Sequence, residues 1–161
     1  MLIYYFFLIM KLSRIFAIFI MFTSPISMIY ANNYSIDIED AWIRAMPSKA
    51  MSTAAFMKIT NKFPNKVKLT SVDIDGVQSV ELHKTVSDGK VMKMVKQSNI
   101  PLPANSSIVL KPGSWHIMMI GLEKQFPEGS VHQVQLNFDN GFKQNIKIKV
   151  KKHQKKLMHH M

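Results

Sequence analysis

In "SVELHKTVSDGKVMKMV", Ser79 to Val95, two short runs flank the tetrapeptide Ser87–Lys90. Val80 and Leu82 occupy alternate positions in the first run, and "VMKMV" (Val91 to Val95) forms the second. Asp88–Gly89 between them has the residue types of a tight two-residue turn, because Gly reaches positive φ without steric cost. The stretch predicts a β-hairpin, two antiparallel strands held side by side.

The same period-two grammar extends in both directions. Upstream, "YSIDIED" (Tyr34 to Asp40) alternates Ile36 and Ile38 with acidic residues. "STAAFMKITN" (Ser52 to Asn61) ends at the turn Asn61–Pro64, and "NKVKLTSVDI" (Asn65 to Ile74) carries Val67, Leu69, Val72 and Ile74. Downstream, "IPLPANSS" (Ile100 to Ser107) is too rich in proline for a central strand and reads as an extended crossing. "IVLKPG" leads through Pro112–Gly113 into "WHIMMI" (Trp115 to Ile120), then "PEGS" precedes "VHQVQLNF" (Val131 to Phe138). The turn "DNG" at Asp139–Gly141 opens "FKQNIKIKV". Many short strands, several hairpins and no sustained helical period predict an all-β fold, an antiparallel sandwich or Greek-key barrel.

The start of the chain has a different composition. Lys11 and Arg14 precede the apolar run Ile15–Phe22, and residues small enough for cleavage follow as far as Ala31. This is the layout of a secretory signal peptide over 1–31, with Met10 an alternative start, and the apolar run is too short to span a bilayer. An uncleaved membrane anchor is the competing reading. The expected domain covers 32–150, followed by a polar tail at 151–161. The 161 residues contain no cysteine, which removes thiol nucleophiles, disulfides, zinc–thiolate sites and blue-copper thiolates together. The net charge of +11 is concentrated in "FKQNIKIKVKKHQKK", Phe142 to Lys156. Such a block is a solvated strand and tail, or a surface attracted to an acidic partner or membrane. It has no interleaved aromatic residues, so nucleic acid is not an expected partner.

Strand geometry singles out one group of residues. Side chains at i and i+2 share a face. In "WHIMMI" the apolar face of Trp115, Ile117 and Met119 is the expected core face, which turns His116 and Met118 away from the core together. Met92 and Met94 share a face of "VMKMV", and the face of Val80 and Leu82 excludes His83. Met ordinarily fills core gaps and an isolated strand His is ordinarily a surface residue, so each position alone is weak. The hairpin makes the His83 and Met94 strands neighbours, however, and His116 and Met118 follow a turn. Imidazoles with soft thioethers select Cu(I), whereas zinc would require cysteine or carboxylate company, and none of the four positions is acidic. No nucleophile–base pair or carboxylate pair can be assembled by spacing, so neither an enzyme nor a small-molecule substrate is expected.

The spacing of these residues resembles a known family, the periplasmic copper chaperones called PCu(A)C. Its signature is a His, ten residues, a Met, twenty-one residues, then His-x-Met. Here His83 and Met94 enclose ten residues, Met94 and His116 enclose twenty-one, and His116-Ile117-Met118 completes the pattern. "DAWIRAMP", "AAFMKITN", "IPLPA", "LKPGSWHIMMIGL" and "PEGSVHQVQLNF" follow in the family's order over Asp40 to Val150. The resemblance implies a cupredoxin-like β-barrel that binds Cu(I) at its rim through His83, Met94, His116 and Met118. It further implies transfer of that copper, with no catalytic step, to the CuA centre of cytochrome c oxidase. The partner would be oxidase subunit II, directly or with a thiol-bearing assembly factor. Lys84 departs from the family pattern, in which many members carry a second Met at that position, and Met92 is a candidate spare thioether. The tail residues His153, Met158, His159, His160 and Met161 fit a second copper site, with imidazoles favouring Cu(II). A periplasmic copper buffer and a non-metal interaction module are the alternatives. Trp42 is expected in the core, Arg44 in an ion pair, and His132 at the surface.

Overall fold

The structure, a computed structural model, describes residues 34–89 and 91–152. They form ten strands: β1 (Ile36–Arg44), β2 (Ser52–Asn61), β3 (Val67–Ile74), β4 (Val77–Ser87), β5 (Met92–Gln97), β6 (Ile100–Leu102), β7 (Ser106–Leu110), β8 (Trp115–Leu122), β9 (Val131–Phe138) and β10 (Lys143–Lys151). One sheet runs β5-β4-β8-β2-β1-β10-β9-β3-β6, with β7 also paired to β2. Its pairs are antiparallel except β1–β10, which is parallel. The expected all-β, cupredoxin-like architecture is what the chain adopts, and among the described residues there is no helix.

Alternation dictates which side is buried. Ile146, Ile148 and Val150 of β10 face inward while Lys147, Lys149 and Lys151 face water. Ile43, Ile59, Leu69, Ile100, Leu102, Leu136, Ile148 and Val150 are wholly buried in one cluster. Burial of each such side chain contributes about 1.5–3 kcal/mol. With no disulfide available, this cluster carries the fold. The proline-rich "IPLP" segment forms β6, a three-residue strand at the sheet edge against β3. Edge positions tolerate a missing N–H, so the segment does pair, which the expected unpaired crossing did not include.

A β-bulge shapes the region around the site. The β1–β2 register shifts between Glu39 and Trp42, and Asp40 takes a left-handed φ of 51°. The extra residue inverts the strand's phase. Ile36 and Ile38 face inward before it, whereas after it Ile43 enters the core. Trp42 and Arg44 are thereby turned to the outer face, and Trp42 packs on Phe56 in a tilted arrangement with ring centroids 4.6 Å apart. The expectation of a core Trp42 fails for this reason.

Candidate metal site

Register brings the singled-out residues to one place. Antiparallel pairing of β4 with β8 sets His83 opposite His116 and Glu81 opposite Met118. The Asp88–Gly89 turn, with Gly89 at φ 89°, folds β5 back so that Met94 faces Thr85. Directly opposed residues share a face, so His83, Met94, His116 and Met118 all lie on the outer face, behind the core pair Ile117 and Met119. The His83 and His116 ring centroids are 5.7 Å apart. Met94, His116 and Met118 line one cleft of about 190 Å³ together with Arg44, Phe56 and Thr85. A larger cleft of about 660 Å³ is lined by Asp40, Trp42, Glu128, Lys149 and Lys151 among others, and among the described residues no His or Met contributes to its wall.

The outer position of His116 does not expose it. Its ring is buried, with Phe56 6.5 Å away. Its Nδ1 lies 2.9 Å from the Ser114 carbonyl oxygen. A carbonyl only accepts, so Nδ1 carries the proton and the Nε2 lone pair is the one available to a metal. Ser114 is fixed in turn by the turn at Gly113, with φ 77°, and by the Thr85 N–H, which donates to the same carbonyl at 3.1 Å.

His83 is arranged the opposite way. Its Nε2 is 2.8 Å from a Glu81 carboxylate oxygen, and Lys96 Nζ donates to the other oxygen at 2.6 Å. The Lys96 ammonium, and then the His83 ring, hold the Glu81 carboxyl below its usual range. The ionised carboxylate accepts, so Nε2 of His83 carries the proton. His83 Nδ1 is then left buried without a hydrogen-bond partner. A buried orphan nitrogen is costly unless something binds it. The two rings therefore offer different nitrogens, Nδ1 from His83 and Nε2 from His116, each oriented by a partner on the other nitrogen.

The remaining positions sort clearly. Met94 is 63 % exposed and opens the cleft to solvent. Met92 is 61 % exposed, sits one step nearer the turn opposite Ser87, and is not part of the cleft wall. His153, Met158, His159, His160 and Met161 lie outside the described residues. Arg44 is not ion-paired to any described carboxylate. Its guanidinium lies over the Phe56 ring at 5.2 Å, and its Nε is buried without a partner. His132 is half-buried, stacked on Phe126 at 4.2 Å and hydrogen-bonded to Ser130, so it is not a plain surface residue. Among the described residues there is no group of three or more His, Cys, Asp or Glu side chains suited to a metal. A site here is built with thioethers or not at all. Sequence reasoning missed Glu81, which sits at i−2 from His83 on the same face. The rule that paired His116 with Met118 would have found it; none of the four candidate positions is itself acidic, and Glu81 stands beside them as the partner of His83.

The architecture is that of the PCuAC domain. The copper-bound PCuAC domain from PmoF2 aligns with a TM-score of 0.64 at 23% identity, over 73% of this chain and 93% of that one. The Cu(I) form of DR1885 from Deinococcus radiodurans aligns at 0.57 and 30% identity, over 72% and 77% of the two chains. The family profile described as "Putative lipoprotein LpqE-like" matches residues 36–150, and the chain belongs to that family. Among curated relatives, "Putative lipoprotein Lxx21020" of Leifsonia xyli subsp. xyli is 29% identical over 72% of this chain and 69% of its own length.

Proposed function

We propose that the protein is an exported Cu(I)-binding metallochaperone, holding one ion through His83, Met94, His116 and Met118 and passing it to the CuA centre of cytochrome c oxidase. The observation that carries this reading is the His83–His116 cross-strand pair, with the orphaned Nδ1 of His83 beside a cleft lined by Met94, His116 and Met118. Two imidazoles and two thioethers form a neutral, soft set that suits Cu(I) and disfavours hard divalent ions. Without a thiolate the ion stays exchangeable, as handing it on requires. Exposed Met94 is the ligand that an acceptor could replace first. Acceptors of matching chemistry are oxidase subunit II or a thiol-bearing assembly factor.

Export to the periplasm rests on the composition of residues 1–31, and no cysteine is present for a thioether-linked lipid. A second, Cu(II)-favouring site in the tail belongs to the same proposal. The test is competitive Cu(I) titration under anaerobic, reducing conditions. One tight equivalent is expected in wild type and in a truncation before Lys152, and none in Met94→Ala combined with Met118→Ala. Equal binding by the double variant would overturn the assignment. Gene deletion separates delivery, seen as oxidase activity lost at low copper, from buffering, seen as copper sensitivity with normal respiration.

A further inference from the structure

The lysines of β10 differ from those on most other elements. Lys58, Lys62, Lys93, Lys96, Lys124 and Lys152 are each ion-paired, with Glu39, Asp37, Asp88, Glu81, Asp75 and Glu128 respectively. Lys143, Lys147, Lys149 and Lys151 all point to the outer face of β10, and none has a described carboxylate within ion-pair distance. On the neighbouring strand β9 the same face offers only Val131, Gln133, Gln135 and Asn137 opposite them. On its other neighbour, β1, Asp37 and Glu39 are already held by Lys62 and Lys58. Asp40 and Glu128 line the cleft at one end, where Lys152 already holds Glu128, and Asp73 on β3 accepts from Asn137. A row of unpaired ammonium groups along one strand costs self-repulsion unless a negative surface meets it.

The cross-strand register shows where that row lies relative to the candidate metal site. Ala54 of β2 opposes Met118 of β8, and two positions on Phe56 opposes Trp42 of β1. Trp42 in turn opposes Lys149, and Arg44 opposes Lys151. The outer face therefore runs without interruption from the His83–His116 pair, across Phe56, Trp42 and Arg44, to the lysines. Three strand spacings separate β8 from β10, roughly 15 Å along the sheet. That fits within the roughly 800 Å² one partner contributes to an ordinary protein interface. The ground between is aromatic side chains and an arginine, the types enriched where proteins meet.

We infer that Lys143, Lys147, Lys149 and Lys151 form an electrostatic landing platform for an acidic acceptor protein, which it holds against the same face that presents the copper ligands. The inference rests on the copper-transfer reading above. Charges at the rim of an interface act mainly on association rate and its salt dependence. In the transfer itself copper stays Cu(I). Two copper–thiolate bonds form on the acceptor as the bonds to the chaperone's Met and His groups break, and the thiol protons pass to buffer.

The test uses the chain from Asn33, which holds the whole core described between Ile36 and Val150. One probe is an acidic peptide carrying two cysteines. The second is the same peptide with its Asp and Glu changed to Asn and Gln. Wild type is compared with a stripe variant (Lys143→Gln, Lys147→Gln, Lys149→Gln, Lys151→Gln) and with a control of equal charge (Lys49→Gln, Lys62→Gln, Lys66→Gln, Lys124→Gln). Wild type and control should load the acidic peptide roughly tenfold or more faster than the neutral one at low salt, an advantage that high salt removes. The stripe variant should lose this advantage while keeping its Cu(I) affinity. An unchanged advantage in the stripe variant would overturn the platform. So would an intact peptide advantage accompanied by lost binding to phosphatidylglycerol vesicles, which would assign the stripe to a membrane surface. If no variant or wild type takes up copper, the copper reading fails separately. Anisotropy of a labelled, cysteine-free acidic peptide on the apo protein still decides the platform.

Discussion

At His116 and Ile117 the two faces of β8 are both shielded from water, but by different chemistry. On the inner face Ile117 and Met119 are each 1 % exposed among aliphatic side chains from several strands. On the outer face His116 is 5 % exposed, yet its cover is Phe56 together with the polar anchor at Ser114. Inside, a thioether is a flexible filler for irregular space. Outside, Met118 and Met94 border a cleft beside two oriented imidazoles. The same residue type thus serves packing on one side and offers a soft donor on the other. The difference lies in what the neighbouring strands place opposite it.

That contrast can be broken from either side. Ile117→Ala should destabilise the fold by about 2–5 kcal/mol in denaturant unfolding, as buried large-to-small changes do. The folded fraction should still bind one equivalent of Cu(I), and loss of copper binding at retained stability would erase the separation of the faces. His116→Ala should weaken Cu(I) binding by at least about a hundredfold, beyond the usual loss from an outer-shell partner. A competition titration reads it, and an unchanged affinity would return His116 to a purely packing role.

Glu81→Gln should cost about tenfold in Cu(I) affinity, because a neutral amide orients the His83 ring less firmly than a carboxylate. A variant equal to wild type would mean that Glu81 pairs with Lys96 alone. The smallest effect concerns His132 on β9. Burial against Phe126, and then the charge of Lys124, push its pKa down. A depressed folded value favours the neutral ring, so its contribution is complete above the unfolded pKa of about 6.5 and is lost as pH falls through the folded value. Thermal stability should therefore decline between about pH 7 and pH 5 in wild type and decline less in His132→Phe. Parallel pH curves would exclude this His as the cause.

The strands were legible in sequence because alternation and turn chemistry are local. "VELHKTV", Asp88–Gly89 and "MKMV" sit where their pattern places them, in β4, its turn and β5. The phase of "WHIMMI" also identified Ile117 and Met119 as core. What eluded the pattern was non-local. The bulge at Asp40 inverts β1 by one residue, so Trp42 and Arg44 cover the outer face rather than fill the core or pair with an acid. Both pack on Phe56, and Phe56 in turn covers His116, a burial that could not be read from the His116 strand itself. Glu81 was legible in principle, two residues from His83, but only a structure shows that it occupies Nε2 and leaves Nδ1 bare.

The most direct test of the central claim is X-ray absorption at the copper edge on protein loaded with one equivalent of Cu(I). A mixed first shell of two sulfur and two nitrogen scatterers is expected, with both sulfurs lost in Met94→Ala combined with Met118→Ala. A shell of nitrogen and oxygen alone, unchanged in that variant, would show that copper sits elsewhere and that the thioethers of the outer face are not ligands.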